Sequence, residues 1–293
     1  MEKSQSSKET LKPEPFMPIC AQPASSPKSS MAGEVQIPMT NDYLFRAFLQ
    51  KNNKALKGLV ASLLYMEPEA ISSVVIMNPI ELGDSINEKT FILDIRVSLN
   101  NHARINLEMQ VINEHNWTDR SLCYLCRDFT QLSSGEDYQA AKPVIQIGIL
   151  NFSLFPQYPE FYATYKILNV KTYTLYSDKL RLSVLDLTHK ELATEQDRKY
   201  QLDIWASLFK AATWEEINML AKGNEYIDEA ANTIYQLTQE EKIRMQCEAR
   251  EDYYRTQLGW QRMLAERDAL LAEKDAIIRE LRAAMEERPK EAK

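Results

Sequence analysis

The sequence has few cysteines and no long apolar segment. Its four cysteines are too few and too widely spaced for a disulfide framework. It contains no apolar run of about 18 residues and no signal-peptide core, which argues against a membrane protein and predicts a cytoplasmic one. The formal net charge is −7, which argues against binding nucleic acid through bulk positive charge but not against a local basic groove.

The residues most often used as soft metal ligands are sparse. Cys123 and Cys126 form one Cys-x-x-Cys pair, which falls in a predicted helix and has no second pair beside it. Buried thiols are therefore predicted in preference to a zinc or redox site. The three histidines, His102, His115 and His189, are scattered along the chain and are assigned no role.

What the sequence does contain is enough apolar material for a large core. Of its 293 residues, 44% are hydrophobic, which fits one large domain or a domain with appendages. Residues 1–37 are rich in Ser, Pro and Lys without a periodic apolar face, and are predicted to be disordered. Met31 and Met39 are alternative start positions within or just after this segment.

A first helix is predicted from Thr40-Asn41-Asp42, a good capping sequence, to about Tyr65. This helix has a basic side formed by Arg46, Lys51, Lys54 and Lys57. That side is either solvated or in contact with phosphates. A short strand is predicted over 71–77.

Residues 91–99 and 104–111 alternate between apolar and polar side chains, as half-buried strands do. The turn between them contains Asn100-Asn101-His102. The apolar faces coincide in only one class of register, because a one-residue slip moves every side chain to the other face. The predicted opposite pairs are Asp94 with Glu108, Arg96 with Asn106, and Ile92 with Gln110.

Asp94 and Glu108 would then lie side by side on the polar face of the hairpin. Two carboxylates in that position repel each other, which raises one pKa or recruits a cation. Mg²⁺ accepts one or two carboxylates and keeps several waters, so it suits such a pair. The alternative is that both carboxylates are simply solvated.

The remaining pattern predicts a helix over 118–132, a buried strand over 143–152, and two strands, 161–170 and 180–187, that extend the sheet as a meander. The apolar side of the 118–132 helix is predicted to include Leu122, Cys123, Leu125, Cys126 and Phe129. Helices are predicted over 191–211, 214–222 and 225–250. From about 239 to 288 the chain is helical and charged, with apolar residues every seven positions at Leu264, Leu271, Ile278 and Met285. This spacing indicates a coiled coil that would make the chain a homo-oligomer, with a solvated single helix as the alternative.

The order helix, strand, carboxylate hairpin, helix, strand resembles the αβββαβ core of the PD-(D/E)XK nuclease superfamily. More closely, the chain resembles the Rpn family of recombination-promoting nucleases, also described as transposases. The residues that carry this resemblance are Asn41–Arg46, Ile92–Ile95, Asn106–Gln110, Arg120–Tyr124, Gly135–Tyr138, Lys142–Ile145 and Ile149–Phe152. It implies a restriction-endonuclease-like α/β core over 38–190, a mixed sheet flanked by helices, followed by a helical extension over 191–238 and a long helix over 239–293.

The resemblance also implies a function, a Mg²⁺- or Mn²⁺-dependent DNA endonuclease. Asp94 and Glu108 look like the metal-binding acids of the superfamily, and the backbone carbonyl of Met109 is a candidate third ligand. Gln110 stands where the superfamily usually has Lys, so it can orient water or phosphate but supplies no charge. Leu93 replaces the Pro of the name motif, at a position that carries no chemistry.

Three further residues are candidates for the same site. Asp42 on the first helix matches the position of an assisting metal ligand, although helix capping would also explain it. Arg120 and Arg127 are candidates for contact with DNA phosphates, or pair with Asp119 or Asp128.

Two other hypotheses stay open. A degenerate nuclease fold could bind DNA or a protein partner without catalysis, with oligomerisation through 239–288. A purely structural role for the carboxylates would leave the helical tail as the functional part. Substitution of Asp94 separates these hypotheses.

Overall fold

The chain folds into a mixed sheet with helices on both faces, and this confirms the predicted architecture. The computed structural model describes residues 31–80, 82, 94–132 and 135–286. Within them the helices are α1 (Asp42–Lys51), α2 (Asn53–Leu64), α3 (Trp117–Phe129), α4 (Glu195–Lys199), α5 (Leu202–Lys210), α6 (Trp214–Ala221), α7 (Glu225–Gln239) and α8 (Glu241–Glu286). The strands are β1 (Val74–Ile76), β2 (Ile95–Leu99), β3 (Ala103–Gln110), β4 (Val144–Leu150), β5 (Tyr162–Lys166) and β6 (Leu180–Asp186).

Strands β2 and β3 form the predicted hairpin. Arg96 pairs with Asn106 and Ile95 with Leu107 in antiparallel register, so the predicted pairing is confirmed where the strands are described. The prediction for Ile92, like that for the rest of 91–93 and for residues 1–30, lies outside the described residues. This register places the even-numbered residues of β3, Glu108 included, on the face covered by α3.

The predicted meander is wrong, because the strand order is β1-β2-β3-β4-β6-β5. Strand β6 runs parallel to β4 and lies between β4 and β5. Residues 183–186 of β6 are buried, which suits an interior strand, whereas residues 164–166 of β5 are exposed and end in Lys166. A charged, exposed strand is tolerated best at the edge of a sheet. The edge position is therefore taken by β5, although β6 comes later in the chain.

The main hydrophobic core lies on the sheet face opposite α3. One continuous cluster joins the apolar residues of β2, β3 and β4 to helices α1, α2, α5, α7 and the start of α8. Phe45 of α1 packs edge-on against Phe209 of α5, with ring centroids 5.7 Å apart. The helices after residue 191 therefore share a core with the sheet.

The predicted first helix is interrupted at Asn52, which lies between α1 and α2 with φ −125°. Its side chain accepts a hydrogen bond from the Ala55 amide at 2.9 Å and donates one to Thr233 Oγ1 at 2.7 Å. Asn readily bonds nearby backbone in non-helical conformations, so a single Asn divides the helix in two.

Helix α3 covers the other face near β4, and its buried side differs from the prediction. Cys123, Cys126 and Leu122 are exposed, so the prediction of buried thiols is wrong. The buried stripe is instead Trp117, Ser121, Leu125 and Asp128, whose 4-4-3 spacing follows one helical face. The apolar residues of the stripe are Trp117 and Leu125, and the Trp117 indole lies directly on Gly148 of β4, where an added Cβ would be 2.1 Å from Cζ2.

Helix α8 has a buried beginning and an exposed remainder. Ile243, Cys247 and Arg250 are buried against the domain. Farther along, Leu264, Leu271 and Ile278 are 45–50% exposed. None of the helices in the described part of the chain is long and apolar enough to cross a membrane.

The chain before α1 also packs against the domain. Met31 and Ile37, which fall within the segment predicted to be disordered, are buried. The Val35 amide donates to the Ala212 carbonyl at 2.8 Å.

Candidate active site

Asp94 and Glu108 are buried side by side at the end of the hairpin. Asp94 immediately precedes β2 and is 3% exposed, and Glu108 in β3 is 4% exposed. The alternative that these carboxylates are solvated is therefore wrong. Ionised carboxylates are costly to bury without cations or donors, so their surroundings decide what they can do.

The backbone at Asp94 is fixed by two side chains. Arg46 of α1 donates from Nη1 to the Asp94 carbonyl and from Nη2 to the Asn78 carbonyl. Asn78 also donates to the Asp94 carbonyl at 3.0 Å, and its Oδ1 accepts from the Arg96 amide at 2.9 Å. Arg46 is therefore a buried support for the site, and the prediction that it lies on a basic surface is wrong.

Each carboxylate has an arginine beside it. Arg96 Nε lies 3.5 Å from Asp94 Oδ2, and Arg120 Nη2 lies 2.6 Å from Glu108 Oε1. Arg120 is also 3.7 Å from Glu114, so the predicted alternative of pairing with Asp119 or Asp128 is wrong for Arg120. Trp117, seated on Gly148, holds α3 against the sheet one turn before Arg120.

Burial dominates the protonation of both acids. It raises the pKa of Asp94, and the guanidiniums of Arg96 and Arg46 oppose the rise. Burial raises the pKa of Glu108 to about 7; Arg120 opposes this rise, and the neighbouring charge of Asp94 adds to it. The predicted repulsion between the pair is thus present, with burial as the larger cause.

The oxygens of the site point into a cavity of about 150 Å³. Among the described residues, no donor makes a hydrogen bond to either carboxylate oxygen of Asp94, to Glu108 Oε2 or to Gln110 Oε1. Buried oxygens without donors are unusual and fit a cation. Met109 lines the same cavity, whereas no group of three His, Cys, Asp or Glu side chains in the described parts could hold a metal ion. The donor set therefore fits a hydrated Mg²⁺ or Mn²⁺ held by two carboxylates, and no richer site.

Asp42 lines this cavity but is already paired. Asn41 is the N-cap of α1, accepting from the amides of Tyr43 and Leu44 at 3.2 Å each, so capping does not explain Asp42. Instead Arg250 of α8 donates to both carboxylate oxygens of Asp42, from Nε at 2.9 Å. Tyr253 and Tyr254 complete this wall of the cavity.

No local motif predicted a role for Arg250, Tyr253 and Tyr254, which lie in a charged segment. One signal was available, because a buried acid on α1 requires a cation from elsewhere in the chain.

The other candidates for phosphate contact are occupied by protein partners. Arg127 is stacked on Tyr124, with Cζ 4.6 Å from the ring centroid, and lies 3.9 Å from Asp128, as the alternative predicted. Lys51 pairs with Glu240 at 2.5 Å and Lys54 with Glu225 at 2.7 Å. Two lysines on the basic side of the first helix are therefore paired with acids of α7 and of the residue that follows it.

Comparison with known proteins identifies the family. Residues 39–261 match the family model described as PD-(D/E)XK nuclease family transposase. Searches of curated proteins and of solved structures gave no significant match. The match begins just before α1 and ends within α8, so it includes every residue that lines the cavity. The chain therefore belongs to the PD-(D/E)XK nuclease family of transposases.

Proposed function

We propose that the protein is a DNA endonuclease that hydrolyses phosphodiester bonds with the help of Mg²⁺ or Mn²⁺. The observation that carries the proposal is the pair of buried carboxylates, Asp94 and Glu108, which line one cavity. Among the described residues, no donor makes a hydrogen bond to either oxygen of Asp94 or to Glu108 Oε2. Family membership supports a nuclease, and the metal, the substrate and the endonucleolytic mode of cleavage are our inference.

Asp94 and Glu108 would hold the cation, with the carbonyl of Met109 as a third ligand. When bound, a divalent cation would lower the pKa of an attacking water and offset charge that develops on the phosphate. Arg120 fixes Glu108 through Oε1 and leaves Oε2 directed to the cavity. Arg46 and Asn78 hold Asp94 in place through its backbone.

Gln110 has a different role from the Lys that the superfamily usually carries. Gln110 is 8% exposed and lines the same cavity, where no donor of the described residues makes a hydrogen bond to its Oε1. A carbonyl oxygen there can accept a hydrogen bond from water, and the amide NH₂ can donate one to a phosphate oxygen. Gln110 therefore orients the reactants and supplies no positive charge.

The test is nicking of supercoiled plasmid with Mg²⁺ or Mn²⁺, with and without EDTA. We expect Asp94→Asn to lower the rate by about 100-fold or more, because one ligand charge is lost at the reacting centre. Asp178→Asn is the matched control, since Asp178 is exposed and outside the cavity. Metal-dependent cleavage that persists in Asp94→Asn would overturn this assignment of the site.

The second candidate function is a module that binds DNA or a protein partner with little or no catalysis. Two observations favour it: neutral Gln110 in the usual position of Lys, and the 2.6 Å ion pair that engages Glu108 with Arg120. A folded wild-type protein that binds DNA but shows no metal-dependent nicking would support this function instead.

A further inference from the structure

Helix α8 brings a guanidinium into the cavity that contains the two carboxylates. Arg250 lines it together with Asp94, Glu108 and Gln110, although 140 positions separate it from Gln110. Its side chain and that of Asp42 are each 9% exposed. A buried ion pair gives little net stability compared with apolar residues of the same shape, so its position in the cavity calls for a functional reason.

The guanidinium is held from three sides. Asp42 accepts from Nε and Nη2, a forked contact that fixes the plane of the group. The rings of Tyr253 and Tyr254 lie 4.7 Å and 5.0 Å from Arg250 Cζ. Although burial lowers the pKa of Arg250, the hydrogen bond to Asp42 raises it above its ordinary value, so the group stays charged. Arg250 is thus a cation with a preset orientation.

The charges of the cavity explain what such a cation would bind. The described lining contains four acids, Asp42, Asp94, Glu108 and Glu114, and two arginines, Arg120 and Arg250. A phosphodiester that enters therefore meets more negative than positive groups, and it needs a cation to bind. Both arginines are paired, but with different acids: Arg120 lies 2.6 Å from Glu108, a proposed ligand of the cation, whereas Arg250 donates from Nε and Nη2 to Asp42. Contact with a phosphate would come from the edge of the Arg250 guanidinium that does not face Asp42. The planar guanidinium of Arg250 matches the oxygens of a phosphate.

The volume of the cavity limits the size of the ligand further. About 150 Å³ is less than the roughly 300–1,000 Å³ of pockets that enclose whole small molecules. A backbone phosphate fits this size better than an entire nucleotide.

We propose that Arg250 binds the DNA phosphate at the active site and that Asp42 is its positioning residue rather than a ligand of the metal. The proposal rests on the proposed function for the identity of the anion. In this proposal Asp94 and Glu108 hold the cation, and Asp42 holds the guanidinium of Arg250.

Two measurements without turnover test it. The first is fluorescence anisotropy of a labelled DNA duplex, in EDTA and again with Ca²⁺. We expect Arg250→Met and Asp42→Asn each to weaken binding about tenfold, as for loss of a charge-assisted contact. The plot of log affinity against log salt has a negative slope, which should become less steep by about one in Arg250→Met and stay unchanged in Arg250→Lys. Arg255→Met is the matched control, because Arg255 lies on the same helix but is 71% exposed.

The second measurement is Mn²⁺ binding by calorimetry in the absence of DNA. Asp42→Asn should keep the wild-type affinity within about threefold, whereas Asp94→Asn should lose at least about tenfold. An equal loss in both variants would make Asp42 a metal ligand and overturn the proposal. Equal weakening of DNA binding in Arg250→Met and Arg255→Met would overturn it as well, because the effect would then be one of bulk charge.

Folding and the proposed function are controlled separately. Thermal melts followed by circular dichroism check each variant, and the double variant Asp42→Asn/Arg250→Met removes both charges if Arg250→Met alone unfolds. If the wild type cleaves nothing but the binding results hold, the proposed nuclease activity fails and this inference stands. If the wild type cleaves and Arg250→Lys and Arg250→Met bind DNA normally, the inference fails alone. A wild type that binds no duplex in either buffer overturns both.

Discussion

At the scale of single residues, burial distinguishes Asp94 and Glu108 from the acids of an ordinary hairpin. The alternation of β2 and β3 was sufficient to predict that the two lie on one face. It could not predict that α3 and α8 cover this face, because those contacts depend on the tertiary fold. The pairing of Arg250 with Asp42 could not be predicted for the same reason, because the two residues are 208 positions apart.

The raised pKa of Glu108 predicts pH-dependent metal binding. A cation must displace the proton from Glu108, whose pKa is about 7. Mn²⁺ affinity should therefore fall about tenfold for each pH unit below 7, and level off above it. Calorimetry between pH 5.5 and 8 measures this, and an affinity that is constant over that range would contradict the role of Glu108.

The same shift predicts how stability without metal depends on pH. The pKa of folded Glu108, about 7, lies above the ordinary value of 4.5, so the folded protein binds more protons between these values. The free energy of unfolding should therefore decrease by roughly 2–3 kcal/mol as pH rises from 4.5 to above 7. Urea unfolding in EDTA tests this. Glu108→Gln, which cannot ionise, should lack most of the decrease; an identical decrease in that variant would refute the cause.

At the scale of elements, the prediction succeeded where the pattern is local and failed where packing chooses among alternatives. The capped start of α1 and the β2–β3 register follow from neighbouring residues. The order of β5 and β6 depends on which strand is better buried, and chain order gave the wrong answer. The buried side of α3 was misplaced because its apolar residues include Leu122, Cys123 and Cys126, which face solvent.

Two glycine substitutions should have opposite effects on stability, because Gly148 lies in the close contact between α3 and the sheet and Gly259 lies in open space. In Gly148→Ala the new Cβ would meet the Trp117 ring at 2.1 Å, which should destabilise the protein by about 1–3 kcal/mol. Gly259 in α8 has nothing within 4 Å of an added Cβ, so Gly259→Ala should stabilise that helix by about 0.5–1 kcal/mol. Urea unfolding compares the two, and a neutral Gly148→Ala would refute the close contact.

At the scale of the whole molecule, residues far apart in the chain complete one core and one cavity. Met31 and the start of α8 are both buried in the cluster that contains α1. The outer part of α8 instead exposes a repeated set of apolar side chains, and such surfaces mark sites of association.

Truncations of α8 should separate these two parts. A chain that ends at Met263 should unfold at the same urea concentration as the full chain, because nearly all the side chains described over 264–284 are exposed. A chain that ends at Gln239 should be strongly destabilised, because it loses buried Ile243 and Cys247. Sedimentation should show self-association of the full chain and a monomer for the chain ending at Met263. A monomer in both cases would favour a solvated single helix.

The pairing of Asp42 with Arg250 also has a consequence for synthesis on the ribosome. The two residues are 208 positions apart, and translation at about 5–20 residues per second separates their appearance by roughly 10–40 s. For the last 142 of these positions, from Glu108 to Arg250, the nascent polypeptide contains both hairpin acids but lacks the guanidinium that completes the cavity. The proposed phosphate-binding site is therefore assembled late in translation.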